Sequence, residues 1–164
     1  MRLSLNDQPK NISYLKIAVA CDHGGFPLKA EVIEVILKAG HKVIDLGTHS
    51  PAPVDYPDFA KAVGEAIQQG RAERAVLLCG SGVGASVAAN KMPNVRAGLC
   101  HDTYSARQGV EHDDMNVLTL GARIIGPALV PELVQAFLEA VFSQEERHVR
   151  RLEKVKWLEK NHRY

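Results

Sequence analysis

The stretch Cys79-Gly80-Ser81-Gly82-Val83-Gly84 concentrates more chemistry than any other in this chain: a thiol, then alternating glycines, between an apolar run and a helical one. Glycines let the backbone approach a ligand, and N–H groups at the start of a helix stabilise developing negative charge, so the loop reads as an oxyanion hole. Written as Gly80-x-Gly82-x-x-Ala85, with Asp102 about twenty residues on, it also fits a permissive dinucleotide fingerprint. Its place after the third strand and the cysteine ahead of the first glycine weigh against that second reading. A Walker phosphate loop is excluded, because no Gly-Lys-Ser or Gly-Lys-Thr follows. Cys79 stands where a helix start favours thiolate, the alternative being a small buried hydrophobe.

Other reactive residues sit where further strands end. They are Cys21-Asp22-His23-Gly24-Gly25, Gly47-Thr48-His49 followed by Asp55-Tyr56-Pro57, Cys100-His101-Asp102, and Gly121-Ala122-Arg123. Asp22 can orient His23 or share acid–base work with it, or merely cap the next helix. Arg123 unites a strand-end position with positive charge and is the best single anion ligand. Arg147 and Arg151 stand at i and i+4, a spacing that lets two guanidinium groups grip one phosphate, although such pairs commonly decorate a solvated face. His112, with Asp113 and Asp114, closes the fourth helix; no HxxxH or similar spacing supports a metal site.

Positioning these residues requires alternating strands and helices. β-rich apolar runs are expected at 15–20, 42–45, 74–78, 96–99 and 116–120, and amphipathic helices at 27–39, 58–69, 84–91, 103–111 and 127–142. Gly40 and Gly70 read as helix stops. Such βα alternation implies an α/β fold with a five-stranded parallel sheet covered on both faces, whose ligands bind outside the carboxyl ends of the strands. A last helix, 144–161, repeats Val149, Leu152, Val155 and Leu158 every three residues. Since five helices already cover the sheet, that stripe is expected to pack on a second subunit.

Composition bounds the rest. The 164 residues suit one domain, expected at 15–164 after a polar, flexible tail at 1–14. Aromatics are only 5%, so Val, Ile, Leu and Ala must fill the core. A net charge of +1, without a basic half, gives no electrostatic footprint for nucleic acid, and no apolar run is long enough to span a membrane. Three cysteines without a CxxC pair point to a reducing compartment, the cytoplasm by default.

Taken jointly, Cys21 to Gly25, Asp55-Tyr56-Pro57, Cys79 to Gly84 with Ala88-Ala89-Asn90-Lys91, Tyr104-Ser105-Ala106, His112 with Asn116-Val117-Leu118, and Arg147 with Arg151 resemble the ribose-5-phosphate isomerase B family, which includes the galactose-6-phosphate isomerase subunits. The resemblance spans about residues 15 to 158. It implies a Rossmann-like three-layer sandwich and a homodimer, or dimer of dimers, with active sites shared between subunits. It also implies aldose–ketose isomerisation of a sugar phosphate through a cis-enediolate, with neither metal nor cofactor. Carried over by position, Cys79 would be the base and the N–H groups of Gly80 to Gly84, including Gly82, would hold the enediolate, with Ser81 assisting proton exchange. Asp22 and a partner's His112 would open the furanose ring and Tyr56 would line the pocket, while His23, Arg123, Arg147 and Arg151 would bind phosphate. Family members that use a glutamate after the loop differ from this chain, where Ala85 and Ser86 offer no carboxylate. One departure concerns Asp113, which stands where the family has Asn and would face the sugar with an acceptor-only group when ionised. Ribose 5-phosphate is the first expectation, a hexose or tetrose phosphate the second, and a sugar-phosphate sensor without turnover the third.

Overall fold

The computed structural model describes residues 14–161, so the tail expected at 1–14 lies, except for Tyr14, outside the described residues. Strands β1 (Lys16–Cys21), β2 (Lys42–Asp45), β3 (Arg74–Cys79), β4 (Ala97–Leu99) and β5 (Val117–Gly121) alternate with helices α1 (Phe26–Lys38), α2 (Tyr56–Gln68), α3 (Val83–Ala89) and α4 (Thr103–Asp113). Helices α5 (Val130–Glu139) and α6 (Glu146–Asn161) complete the chain. The sheet is parallel throughout, in the order β2-β1-β3-β5-β4. This is the Rossmann-like three-layer arrangement.

Period-two alternation sorts the strand residues between the faces. Ile17, Val19, Val76, Leu78, Leu118 and Leu120 face α1, α4 and α5, packing with Val32, Ile36, Val110, Leu133 and Phe137. On the other face, small residues dominate: Ala18, Ala20, Ala75 and Cys79 meet Ala60, Val63 and Ala66 of α2 and Ala85 and Ala89 of α3. Small side chains let α2 and α3 sit close to the sheet, and the Cys79 side chain belongs to this layer.

Three strands end later than expected, at Cys21, Cys79 and Gly121 instead of one residue earlier. The parallel ladders carry the difference: Cys21 pairs with Leu78 and Cys79 pairs with Gly121, so hydrogen bonding to neighbours extends each strand beyond its apolar run. Gly40 and Gly70 follow α1 and α2 with left-handed φ of 83° and 66°, as helix stops should.

The single helix expected over 127–142 is corrected. A 3₁₀ turn, Pro127–Leu129, precedes α5, which ends at Glu139. Pro131 has no N–H to give the carbonyl of Pro127, so the chain tightens and restarts with this proline in the first turn. At the other end, Ala140 is extended (ψ 145°), and the Arg74 guanidinium takes up carbonyls there, including those of Leu138 at 3.2 Å and Ala140 at 2.7 Å.

Helix α6 docks on α4 through two buried residues, His148 and Leu152. The rest of the expected stripe is open: Val149, Val155 and Leu158 are exposed, as is Trp157. No helix among the described residues is long and apolar enough to cross a membrane.

Candidate active site

The sheet order reverses between β1 and β3, and there the register builds a site. With Cys21 opposite Leu78, the next residues, Asp22 and Cys79, emerge side by side at adjoining strand ends. Asp22 is buried; its Oδ1 accepts the Gly25 N–H at 2.9 Å, which folds the loop back over the start of α1. Asp22 therefore holds the turn ahead of α1 and does not cap the helix itself, whose N-cap, Gly25, receives no side-chain hydrogen bond. Glycines at 24 and 25 are demanded by the close approach to β3: a Cβ on Gly25 would stand 2.5 Å from the Leu78 carbonyl carbon, and one on Gly24 would stand 2.9 Å from the Gly80 nitrogen.

Cys79 is 5% exposed, and its Sγ accepts the Gly82 N–H at 3.0 Å. Gly82 has φ 82°, and a side chain there would collide with Leu99 and crowd the Leu120 backbone, so the turn that aims the donor needs glycine. Ser81 is exposed, and its Oγ accepts the Val83 N–H at 3.3 Å. Two of the loop's N–H groups are therefore occupied within the loop.

Arg123 and Tyr56 pack against the glycine loop, and His23 against the segment ahead of α2. The Arg123 side chain lies 3.6 Å from where a Gly80 Cβ would be, and its backbone N–H donates to the Gly80 carbonyl at 3.0 Å. Tyr56, the first residue of α2, places its ring against Gly84, where a Cβ would meet it at 2.9 Å. The Nδ1 of His23 lies 3.2 Å from both the N–H and the carbonyl oxygen of Val54, tying this imidazole to the segment that leads into α2. Asp22, His23, Tyr56, Cys79 to Gly84 and Arg123 thus form one cradle.

His112, Asp113, Arg147 and Arg151 form a separate group at the α4–α6 corner. The His112 and His148 rings stack with centroids 4.0 Å apart and planes 27° apart. Gln108 reaches the His112 Nδ1 at 3.0 Å, and Ser143 Oγ reaches the His148 Nδ1 at 2.6 Å. Arg147 pairs with Glu145 at 2.9 Å, and Arg151 is exposed. Asp113, the last residue of α4, is exposed and lines a cavity of about 660 Å³ between the β4 edge and α6, together with Gly98, Met115, Leu152 and Leu158. Among the described residues, no hydrogen bond or ring contact joins this corner to the cradle.

Two further thiols, Cys21 and Cys100, are also buried. Burial pushes Cys21 and Cys100 up to about 11, so both are neutral at pH 7. No three or more His, Cys, Asp or Glu side chains among the described residues are grouped to hold a metal ion.

Sequence reasoning missed four positions. Lys29 is buried and donates to Asp45 at 2.8 Å and to the Thr48 carbonyl at 2.7 Å, tying the end of β2 and the loop after it to α1. Burial opposes the ionised form of Asp45, but the hydrogen bonds from Lys29 and the Gly47 N–H outweigh it and hold the carboxyl below its ordinary range. A signal existed, since Lys29 shares a helical face with Val32 and Ile36. Gln108, Ser143 and His148 carried no local signal, because their relation to His112 is made by packing between helices.

Comparison with known proteins agrees with this architecture. A family model described as Ribose/Galactose Isomerase matches residues 17–155. The chain is similar to ribose-5-phosphate isomerase B of Escherichia coli, 42% identical over 144 residues, covering 88% of this chain and 96% of that protein. It is 39% identical over 131 residues to D-erythrulose-4-phosphate isomerase of Pectobacterium atrosepticum, covering 78% and 85% respectively. Among solved structures, Clostridium thermocellum ribose-5-phosphate isomerase B superposes with a TM-score of 0.88 at 43% identity, covering 91% of this chain and all (100%) of that one.

Proposed function

We propose, from the premise that this chain belongs to the Ribose/Galactose Isomerase family and so interconverts aldose and ketose sugar phosphates, that its substrate pair is ribose 5-phosphate and ribulose 5-phosphate. The observation that carries the reading is the Cys79 sulfur held by the Gly82 N–H, inside a glycine-lined cradle with Asp22 at the adjoining strand end.

In this reading Asp22 and His112 open the furanose ring: the hydroxyl on C1 loses its proton and the ring oxygen gains one as the C1–O bond breaks. The Cys79 thiolate then takes the proton from C2, the electron pair moves into the C1–C2 bond, and the carbonyl oxygen becomes the enediolate oxygen. Loop N–H groups other than those of Gly82 and Val83 stabilise that charge, and Ser81 passes the proton between the two oxygens. Return of the proton from sulfur to C1 yields the ketose. His23, Arg123, Arg147 and Arg151 hold the phosphate, and Tyr56 closes the side of the cradle against Gly84.

His112, Asp113, Arg147 and Arg151 serve the cradle of a second copy of the chain. The separation of corner from cradle supports this, as do the exposed Val149, Val155, Trp157 and Leu158 of α6 and the exposed Val83 and Val87 beside the glycine loop. The working unit is then a homodimer, alone or paired into a tetramer, and three buried free thiols suit a cytoplasmic setting.

NMR in D₂O with ribose 5-phosphate, allose 6-phosphate, galactose 6-phosphate and erythrose 4-phosphate tests the substrate. Turnover of ribose 5-phosphate with deuterium entering the product is expected. Faster turnover of the tetrose or a hexose would reassign the substrate and implicate Asp113. Ligand-induced stabilisation without product for any of the four would replace turnover by sensing.

A further inference from the structure

The α4–α6 corner holds an arrangement that phosphate binding does not use. Ser143, between α5 and α6, donates its N–H to the Glu111 carbonyl at 2.9 Å, which anchors it beside His112. Its hydroxyl meets the His148 Nδ1 at 2.6 Å. The His148 ring, 1% exposed, lies against the His112 ring, and Gln108, one turn earlier on α4, holds the His112 Nδ1 at 3.0 Å. Contacts from two sides therefore converge on one imidazole. The geometry points to His148 and Gln108 as positioning residues for His112, fixing its ring plane and engaging Nδ1 so that Nε2 is the nitrogen that exchanges protons with the sugar during ring opening.

This inference rests on the ring-opening role given to His112 above and adds to it the nitrogen involved and the residues that select it. A carboxamide has a donor and an acceptor on one group, so by turning over, Gln108 can satisfy Nδ1 whether or not that nitrogen bears a proton. His112 can then change protonation at Nε2 without losing its partner at Nδ1. His148 is suited to be an uncharged platform: burial pushes its pKa down, and His112, Arg147 and Arg151 push the same way against Glu145. A neutral ring face beside His112 adds no repulsion when His112 accepts a proton. Positioning of this kind matters because proton transfer demands hydrogen-bond distance and alignment.

Ring opening can be separated from the rest of the reaction. Ribose 5-phosphate is a furanose closed through O4, whereas ribulose 5-phosphate cannot close a five-membered ring because its O5 carries the phosphate. Exchange of the ribulose 5-phosphate C1 proton in D₂O needs the base and the enediolate site but no ring opening. For His148→Ala in the full-length protein, conversion of ribose 5-phosphate is expected to fall roughly tenfold or more, with C1 exchange on the ketose staying within about twofold. Gln108→Leu should show the same split to a smaller degree, and it keeps the test open if His148→Ala fails to fold. His148→Phe, which keeps a ring face for His112, should recover most of the ribose reaction. Equal loss of both reactions would show a merely structural contact, and unchanged ribose conversion would remove the positioning role; either result overturns the inference. Absence of both reactions in the unsubstituted protein would instead bring down the ribose 5-phosphate reading, and the inference with it.

Discussion

The cradle at the strand ends and the corner between α4 and α6 are built from different materials. In the cradle, backbone dominates: Gly24, Gly25 and Gly82 bring main chains into contact, Cys79 and Asp22 are buried, and each of these two side chains accepts a backbone N–H. In the corner, side chains dominate: two imidazoles, two arginines, a carboxamide and a hydroxyl lie on or beside helices, with Arg147, Arg151 and Asp113 facing outward. Backbone geometry locked by a sheet suits the step in which charge develops at fixed positions. Long cationic side chains on a helix suit capture of a phosphate arriving from solvent. One chain thus carries a backbone-built cradle and, at a separate place, a side-chain-built corner, and the proposed reaction draws on both.

Substituting the thiol breaks the comparison most severely. Cys79→Ala is expected to lower isomerisation and C1 proton exchange by at least about 1,000-fold while circular dichroism and melting stay near the parent, because the position is small, buried and tolerant of alanine. Residual activity near the parent's would move the base elsewhere.

Gly82→Ala strikes the backbone character of the cradle. Left-handed φ and the collision with Leu99 should together cost roughly 2–4 kcal/mol in urea denaturation, and the Gly82 N–H should no longer reach the sulfur. A neutral substitution would show that the turn is less constrained than its geometry requires.

Mixing tests whether cradle and corner belong to one site. Cys79→Ala and His112→Ala, each inactive alone, should regain about a quarter of parental activity after subunits are exchanged, since half of the dimers are then mixed and each of these has one intact site of two. No recovery, with exchange verified by mass spectrometry, would show that each site takes its cradle and its corner from the same copy of the chain.

The smallest effect concerns acid stability at the corner. His148 titrates below the usual imidazole range when folded, so the unfolded chain binds more protons once pH drops below about 6.5. Stability from this group is complete above that value and is lost progressively as pH falls towards the folded pKa. The urea midpoint of the parent should therefore decline across this window more steeply than that of His148→Phe; parallel profiles would mean that His148 does not titrate as a buried ring.

How legible each region was follows from how local it is. The cradle could be read because each of its parts is a short contiguous motif, such as Cys79 to Gly84, whose spacing already expresses the turn. Its strand ends were placed one residue early at Cys21, Cys79 and Gly121, because ladder hydrogen bonds, which no single strand contains, set where pairing stops. The helix expected over 127–142 failed at Pro131, whose effect depends on whether the preceding carbonyl needs its N–H. In the corner, Arg147 and Arg151 stood out by helical spacing, whereas His148 passed unnoticed between them. Its partner His112 lies 36 residues away on another helix, and nothing in the intervening sequence encodes that meeting.

By itself, then, the sequence determined the alternation of strands and helices, the glycine turns at the strand ends, and the residue types available there. These depend on side-chain periodicity and backbone conformation over a few residues. Only the tertiary structure decided that Asp22 and Cys79 emerge side by side, that Lys29 clamps the loop after β2, and that cradle and corner stand apart. Such relations arise from strand order, register and helix packing, which are set by burying the whole apolar surface at once and so cannot be assigned to any one segment.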